Sequence, residues 1–209
     1  MCCGANSSYG TACCRKRTSC ATRRWWPPTA LGTVAVADFS QFYVGQLASR
    51  SPAFWAPWRK RFLHDEVLPR LPADARALVD HHRHRGHLLV LTTATNRVIT
   101  ELTAQALSIK HLIATEAAIE HGVCTGQTEG VLNMREGKVV RMQQWLRAQG
   151  LDSDASAQAL PRAHFYSDSA NDLPLLRAVG HPVAVDPDER LQVEAHQKGW
   201  PVRRLQRAC

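Results

Sequence analysis

Two carboxylates four residues apart, Asp168 and Asp172, stand in the run Phe165-Tyr166-Ser167-Asp168-Ser169-Ala170-Asn171-Asp172-Leu173-Pro174-Leu175-Leu176. The run reads as a short buried strand, a tight acidic loop and the first turn of a helix. Such a loop suits a hard cation beside a phosphate. Magnesium takes oxygen ligands, usually one or two carboxylates completed by waters and phosphate oxygens. Asn171 and the loop N–H groups are placed to face the phosphate, and the helix after the loop offers its positive end. Taken alone, the same residues also suit a polar turn with Asp172 near a helix N-terminus.

The elements that must position this loop alternate along the chain. Phe54, Trp55, Trp58, Phe62, Val67 and Leu68 recur at helical spacings within 52–82, and a second helix runs from Asp74 to about Arg85, where Gly86 stops it. His87-Leu88-Leu89-Val90-Leu91 has the continuous apolar character of a strand buried on both faces. It leads through a polar loop, Thr92-Thr93-Ala94-Thr95-Asn96, into a helix from about Val98 to Leu107. Leu112 to Thr115 is a second strand, and 117–135 is a hairpin-like excursion around Gly122, Gly126 and Gly130. Lys138 opens a helix through Leu146; Ala163 to Ser167 is a strand, Asp172 to Val179 a helix, and Pro182 to Val185 a last strand. Strands alternating with helices predict an α/β fold with a Rossmann-like, doubly wound parallel sheet. Ligands of such sheets sit at the carboxyl ends of the strands. The loop after Leu91, the loop after Tyr166 and Lys138 then share one rim.

Composition adds limits. The 209 residues suit one domain with a small insertion, and 44% hydrophobic content supplies a core. No apolar run is long enough to span a membrane. The net charge of +8 is partly a property of the first 37 residues, which hold Arg15, Lys16, Arg17, Arg23, Arg24 and no acid. Without those five the balance is 21 basic to 18 acidic residues, so nucleic acid is not an expected partner. Five of the seven cysteines (Cys2, Cys3, Cys13, Cys14 and Cys20) lie in the same stretch, without the Cys-x-x-Cys spacing of a zinc site. Residues 1–35 have no helical or strand periodicity and look foreign to the rest of the chain. An out-of-frame or wrongly started stretch explains them better than a disordered tail or a secretory signal.

Three motifs in order carry a resemblance. Leu91-Thr92-Thr93-Ala94-Thr95-Asn96, then Glu136-Gly137-Lys138, then Tyr166 to Pro174 resemble the haloacid dehalogenase superfamily, and within it the subfamily IB, phosphoserine-phosphatase-like hydrolases. The closing segment Gly180 to Asp188 is similar too. The resemblance implies a magnesium-dependent hydrolase of a small phosphorylated metabolite, cytoplasmic, working through an aspartyl-phosphate. It implies that Thr93 holds the phosphoryl group, with Thr95 and Asn171 near it. It makes Lys138 the residue that balances charge on nucleophile and phosphate, Asp168 the magnesium ligand, and Asp172 a second acid supporting the metal shell or the lysine. Thr93, Lys138 and Asp172 would be the catalytic set.

The family's first motif, Asp-x-Asp-x-Thr after an N-terminal strand, has no match where it belongs. Its first aspartate attacks phosphorus and its second protonates the leaving oxygen. Asp152-Ser153-Asp154 has the spacing but comes after no buried strand, and Asp186-Pro187-Asp188 matches the family's last loop. The remaining candidate, Asp38 after Thr33-Val34-Ala35-Val36-Ala37, has Ser40 in place of the general acid. Only 55 residues separate it from Thr93, too few for the helical cap inserted there in the subfamily. The expected organisation is therefore an aberrant segment 1–35, a helical cap remnant 36–85, and an α/β core 86–209 lacking its first strand. That strand is the middle one of the family's sheet. Its absence would expose two rows of unpaired backbone groups, and a chain so built would be inactive.

Overall fold

The structure, a computed structural model, describes residues 36–150 and 153–205. Its elements in chain order are α1 (Val36–Gly45), α2 (Ala56–Phe62) running on through a π turn and a 3₁₀ turn to Arg70, α3 (Ala73–His84), β1 (Val90–Asn96), α4 (Arg97–Ala106), β2 (His111–Glu120), β3 (Val123–Glu129), α5 (Glu136–Ala148), α6 (Ser153–Arg162), β4 (His164–Ser167), α7 (Leu173–Ala178), β5 (His181–Val185), α8 (Glu189–Lys198) and β6 (Val202–Arg203). The expected α/β alternation is present. The strands form two separate sheets, β1-β2-β3 and β4-β5-β6. β1 and β2 are parallel, β3 returns antiparallel beside β2, and β4, β5 and β6 are parallel.

Local chemistry explains the boundaries. Asn96 caps α4, its Oδ1 accepting from the Ile99 N–H at 3.1 Å. Asp188 caps α8 in the same way, and Gly199 ends that helix at φ +65°, a left-handed position that favours glycine. The β2–β3 excursion is a true hairpin whose turn needs the positive φ of His121 and Gly122. Periodicity did not reveal α6, α8 or β6, because these elements are short and polar on most faces.

Three expectations need correction. The first strand is not His87–Leu91 but begins at Val90, and it runs through the stretch expected to be a loop as far as Asn96. Nor is it buried on both faces: Leu88, just before it, is 62% exposed. The cause is a neighbour it lacks, since among the described residues β1 pairs only with β2. Third, Val36 and Ala37 open helix α1, so Asp38 lies in a first helical turn and not at the end of a strand. Thr33 to Ala35, the rest of that expected strand, fall outside the described residues, as does Asp152.

The inner edges of β1 and β4 border one cavity of about 940 Å³. Leu89, Leu91, Val79, Ile109, Phe165 and Val185 contribute its apolar walls. His87 and His164, at the starts of the two strands, have ring centroids 6.1 Å apart, while Thr92 and Asp168 at their other ends border the same cavity. The two edges therefore run side by side in one direction. Buried clusters lie on either flank of this slot and not within it. Val44, Leu47, Val98, Ala117 and Cys124 pack behind the hairpin. Leu146, Leu160, Leu175 and Val179, and then Leu176, Ala184, Leu191 and Ala195, pack around the second sheet. Helix α5 ties the flanks together: Arg141 pairs with Glu116 at 3.0 Å and Trp145 meets His111, while Leu146 joins the second flank.

Candidate active site

The carboxyl end of β4 gathers the expected residues. Lys138, in the first turn of α5, is 4% exposed, and its Nζ lies 2.6 Å from Asp172 Oδ1. The other oxygen of Asp172 accepts from Ser167 Oγ at 2.7 Å. Both carboxylate oxygens are thus taken; the lysine is buried and the carboxylate half-buried. Asp168 differs. Its side chain is exposed, it has no side-chain hydrogen bond among the described residues, and its backbone carbonyl accepts from the Asp188 N–H at 2.8 Å. The loop is stiffened from within: Ser169 N donates to Ser167 Oγ, Asn171 N donates to Ser169 Oγ, and Ala170 N donates to Asp188 Oδ2 at 2.7 Å.

The opposite wall is the end of β1. Its pairing with β2 breaks between Thr92↔Ile113 and Asn96↔Thr115, so β1 carries extra residues that its partner does not match. Such a bulge re-aims side chains, and Thr93 sits in it. The Thr93 hydroxyl accepts from the Thr95 N–H at 3.2 Å. One residue that sequence reasoning missed ties this wall to the lysine. Asn133, fully buried, points its Nδ2 at Thr92 Oγ1 (3.0 Å), the Thr93 carbonyl (2.8 Å) and the Ile113 carbonyl (2.8 Å). It lies five residues before Lys138, on the loop that delivers α5. Gly137 lets that loop close, because a Cβ there would run into the Leu132 carbonyl. Arg135, at φ +52°, was missed as well; its Nε donates to Asn171 Oδ1 at 3.2 Å. A polar residue in a run between two glycines is the one signal that could have singled out Asn133, and it is weak.

A hydroxyl, a buried amine, an amide and an unengaged carboxylate on one rim are the parts of a phosphate site. The family model for haloacid dehalogenase-like hydrolase matches residues 10–177. The chain belongs to that family. Among relatives of this hydrolase, a histidinol-phosphatase of Neisseria meningitidis is 35% identical over 172 residues, 82% of this chain and 76% of that one. Several further curated relatives are matched over less than half of their own length. Among solved structures, a protein of unknown function from Bordetella pertussis Tohama I is 40% identical with a TM-score of 0.77, over 82% of this chain and 75% of that one. A phospho-aspartyl intermediate analogue of phosphoserine phosphatase superposes with a TM-score of 0.59 at 15% identity, over 84% of this chain and 75% of that one. At that identity the likeness shows the fold alone.

In this hydrolase the remaining acids are elsewhere or engaged. Asp38 is exposed on α1. Asp154 is exposed in the first turn of α6. Asp186, at φ +42°, accepts from Leu205 N, and Asp188 holds two backbone N–H groups. Among the described residues, no strand lies between β1 and β4, and the carboxylates that border the slot are those of Asp168 and Asp186. The donors present fit a hard cation: Asp168 offers a carboxylate with free lone pairs, and its surroundings hold oxygen donors and no thiolate.

Proposed function

We propose that this chain carries the phosphate- and magnesium-holding part of a phosphomonoester hydrolase of the phosphoserine-phosphatase-like kind, without the nucleophile among its described residues. The observation that supports it best is the buried Lys138–Asp172 pair standing beside the unengaged Asp168. In this reading Asp172 is the positioning acid. It fixes Lys138 Nζ and Ser167 Oγ, so the amine is held at the rim. Asp168 holds the cation, which when bound neutralises charge on the phosphoryl group. Thr93, Thr95 and Asn171 hold phosphate oxygens, and Asn133 sets the distance between the Thr93 wall and the lysine. The substrate is a small phosphorylated metabolite met in the cytoplasm; phosphoserine and histidinol phosphate are the first two to test. No helix of the described residues is long and apolar enough to cross a membrane.

The covalent route needs a carboxylate in line with phosphorus, and Asp38 is exposed in the first turn of α1, a helix packed against β1 and β3, and not at the end of a strand. That placement favours a second reading, a phosphate- and metal-binding protein that does not turn over. Calorimetry separates the site from the chemistry. Magnesium with inorganic phosphate should bind the full chain, and Asp168→Asn should abolish the magnesium dependence. Equal affinity in both proteins would remove the site assignment, whatever the turnover.

A further inference from the structure

A second cavity of about 850 Å³ adjoins the slot at His82, His87, His164 and Tyr166 and extends from the amino ends of β4 and β5 to Arg203 of β6, which is level with Val185. The proposed hydrolysis makes no use of it. Its walls mix apolar residues, among them Leu78, Val183 and Trp200, with cationic or protonatable ones. Helix α3 contributes His81, His82 and Arg85, and the lead into β1 contributes His87. Strands β4 and β5 contribute His164 and His181 from their first positions, and β6 contributes Arg203, with Arg204 just after it. The one carboxylate among the described lining residues is Asp74, which has a partner of its own.

These rings touch. His164 stacks on His181 with centroids 4.4 Å apart, and His82 lies 5.1 Å from both His87 and His164. His82 Nδ1 is 2.8 Å from His87 Nδ1, and its Nε2 is 2.8 Å from the Tyr166 hydroxyl. A single proton serves the first of those contacts. Burial, and then the neighbouring His164, His87, His81 and Arg85, hold His82 below the ordinary histidine value. Burial and then His181, His87, Arg85 and His81 do the same to His164. Arg204 is drawn to Asp186 and Gln192, but Arg85 and Arg203 have no ion pair among the described residues. Among the described residues, the carboxylates beside the cluster are therefore only Asp74 and, on Arg204, Asp186. A cation is a poor answer, since no three metal-ligating side chains among the described residues converge to hold an ion. An anion is the complement, and the number of cationic or protonatable side chains, drawn from α3, the lead into β1, and β4, β5 and β6, exceeds what one carboxylate would occupy.

We propose that this cavity binds linked phosphates, an anion of the pyrophosphate or triphosphate class, at a site separate from the rim. Binding tightens as the histidines protonate, because each imidazolium becomes a charge-assisted donor. Arg85 and Arg203 supply the charge that persists at alkaline pH.

The test is titration calorimetry of the full chain with inorganic tripolyphosphate, without magnesium, at about pH 6 and about pH 8.5, on either side of ordinary histidine titration. The dissociation constant should be at least about tenfold lower at the acid pH, and Arg85→Gln with Arg203→Gln should raise it about tenfold, the effect of losing charge-assisted contacts. Both arginines are exposed, so that double variant should keep the parent melting temperature. ATP in place of tripolyphosphate separates the sources. Equal affinity identifies the phosphate chain as the ligand, and tighter ATP binding identifies a nucleotide. Three results would overturn the site: one affinity at both pH values, an arginine variant that binds like the parent, or binding abolished in a folded Lys138→Met, Asp172→Asn double variant, which would put the anion on the rim.

Discussion

The outer and inner edges of the first sheet obey opposite rules. On the outer side, β2 hydrogen-bonds β3 in a closed hairpin, and α1 packs behind it through Val44 and Leu47, each under 5% exposed. On the inner side, β1 has no partner strand among the described residues and borders a slot, and Leu88 stands 62% exposed at its mouth. The rim above the slot is nevertheless ordered. It is held by Lys138–Asp172, by Asn133 on Thr92 and Thr93, and by Asp188 on the β4 loop, none of which needs a strand between β1 and β4. The contrast separates the rim proposed to hold a phosphate from the inner edge of β1, for which the described residues supply no partner strand.

The largest effects should come from breaking the rim. Lys138→Met leaves the half-buried Asp172 without its charge partner and should cost about 1–3 kcal/mol of stability. Lys138→Met with Asp172→Asn should recover much of that loss. Urea unfolding of the three proteins measures it, and a double variant as unstable as the single would show that the charge imbalance is not the cause.

A loss of similar size is expected at Asn133. Asn133→Ala leaves the Thr92 hydroxyl and the Thr93 and Ile113 carbonyls without that donor, at about 1–3 kcal/mol. It should also weaken phosphate binding, because the lysine loop is no longer tied to β1. Full phosphate affinity in this variant, measured by calorimetry, would make Asn133 a packing residue only.

Acid should loosen the amino end of the slot. The folded-state values of His82 and His164 lie below their unfolded ones. Their contribution is therefore complete above the ordinary histidine value and is lost as pH falls through it towards the lowered folded values. The melting temperature should fall between about pH 7.5 and pH 5.5. His82→Gln should flatten that fall; an unchanged slope would place the titration elsewhere.

The smallest effect is the sharpest check on the contrast. Leu88→Ala should change stability by no more than about 0.5 kcal/mol, as at exposed positions generally. Leu176→Ala, fully buried beside Ala184 and Leu191, should cost about 2–5 kcal/mol. A cost at Leu88 close to that at Leu176 would mean that the slot is filled.

Much of this was legible in the chain. The loop from Ser167 to Asp172, the Lys138 turn and the hairpin around Gly122 arise from residue types and short spacings, which act locally. The extent of β1 did not, because Thr92 to Asn96 are polar and their strand geometry comes from pairing with β2 and from a bulge. The helix at Asp38 was hidden by Val34-Ala35-Val36-Ala37, whose apolar run suits a strand and a helix equally. Asn133 was illegible for another reason: its partners lie 20 to 41 residues away, and nothing in its neighbours announces them.

The central claim is that the described residues hold the phosphate and lack its nucleophile. Phosphate release from phosphoserine, histidinol phosphate and an aryl phosphate, with magnesium, tests it on three proteins: the chain as written, its Asp38→Asn variant, and a chain given a strand ending in Asp-x-Asp-x-Thr ahead of residue 36. The first two should be equally inactive, and the third should turn over and unfold at a higher temperature, because the free edges of β1 and β4 gain a partner. Robust turnover by the written chain that disappears in Asp38→Asn would contradict the account and make Asp38 the nucleophile.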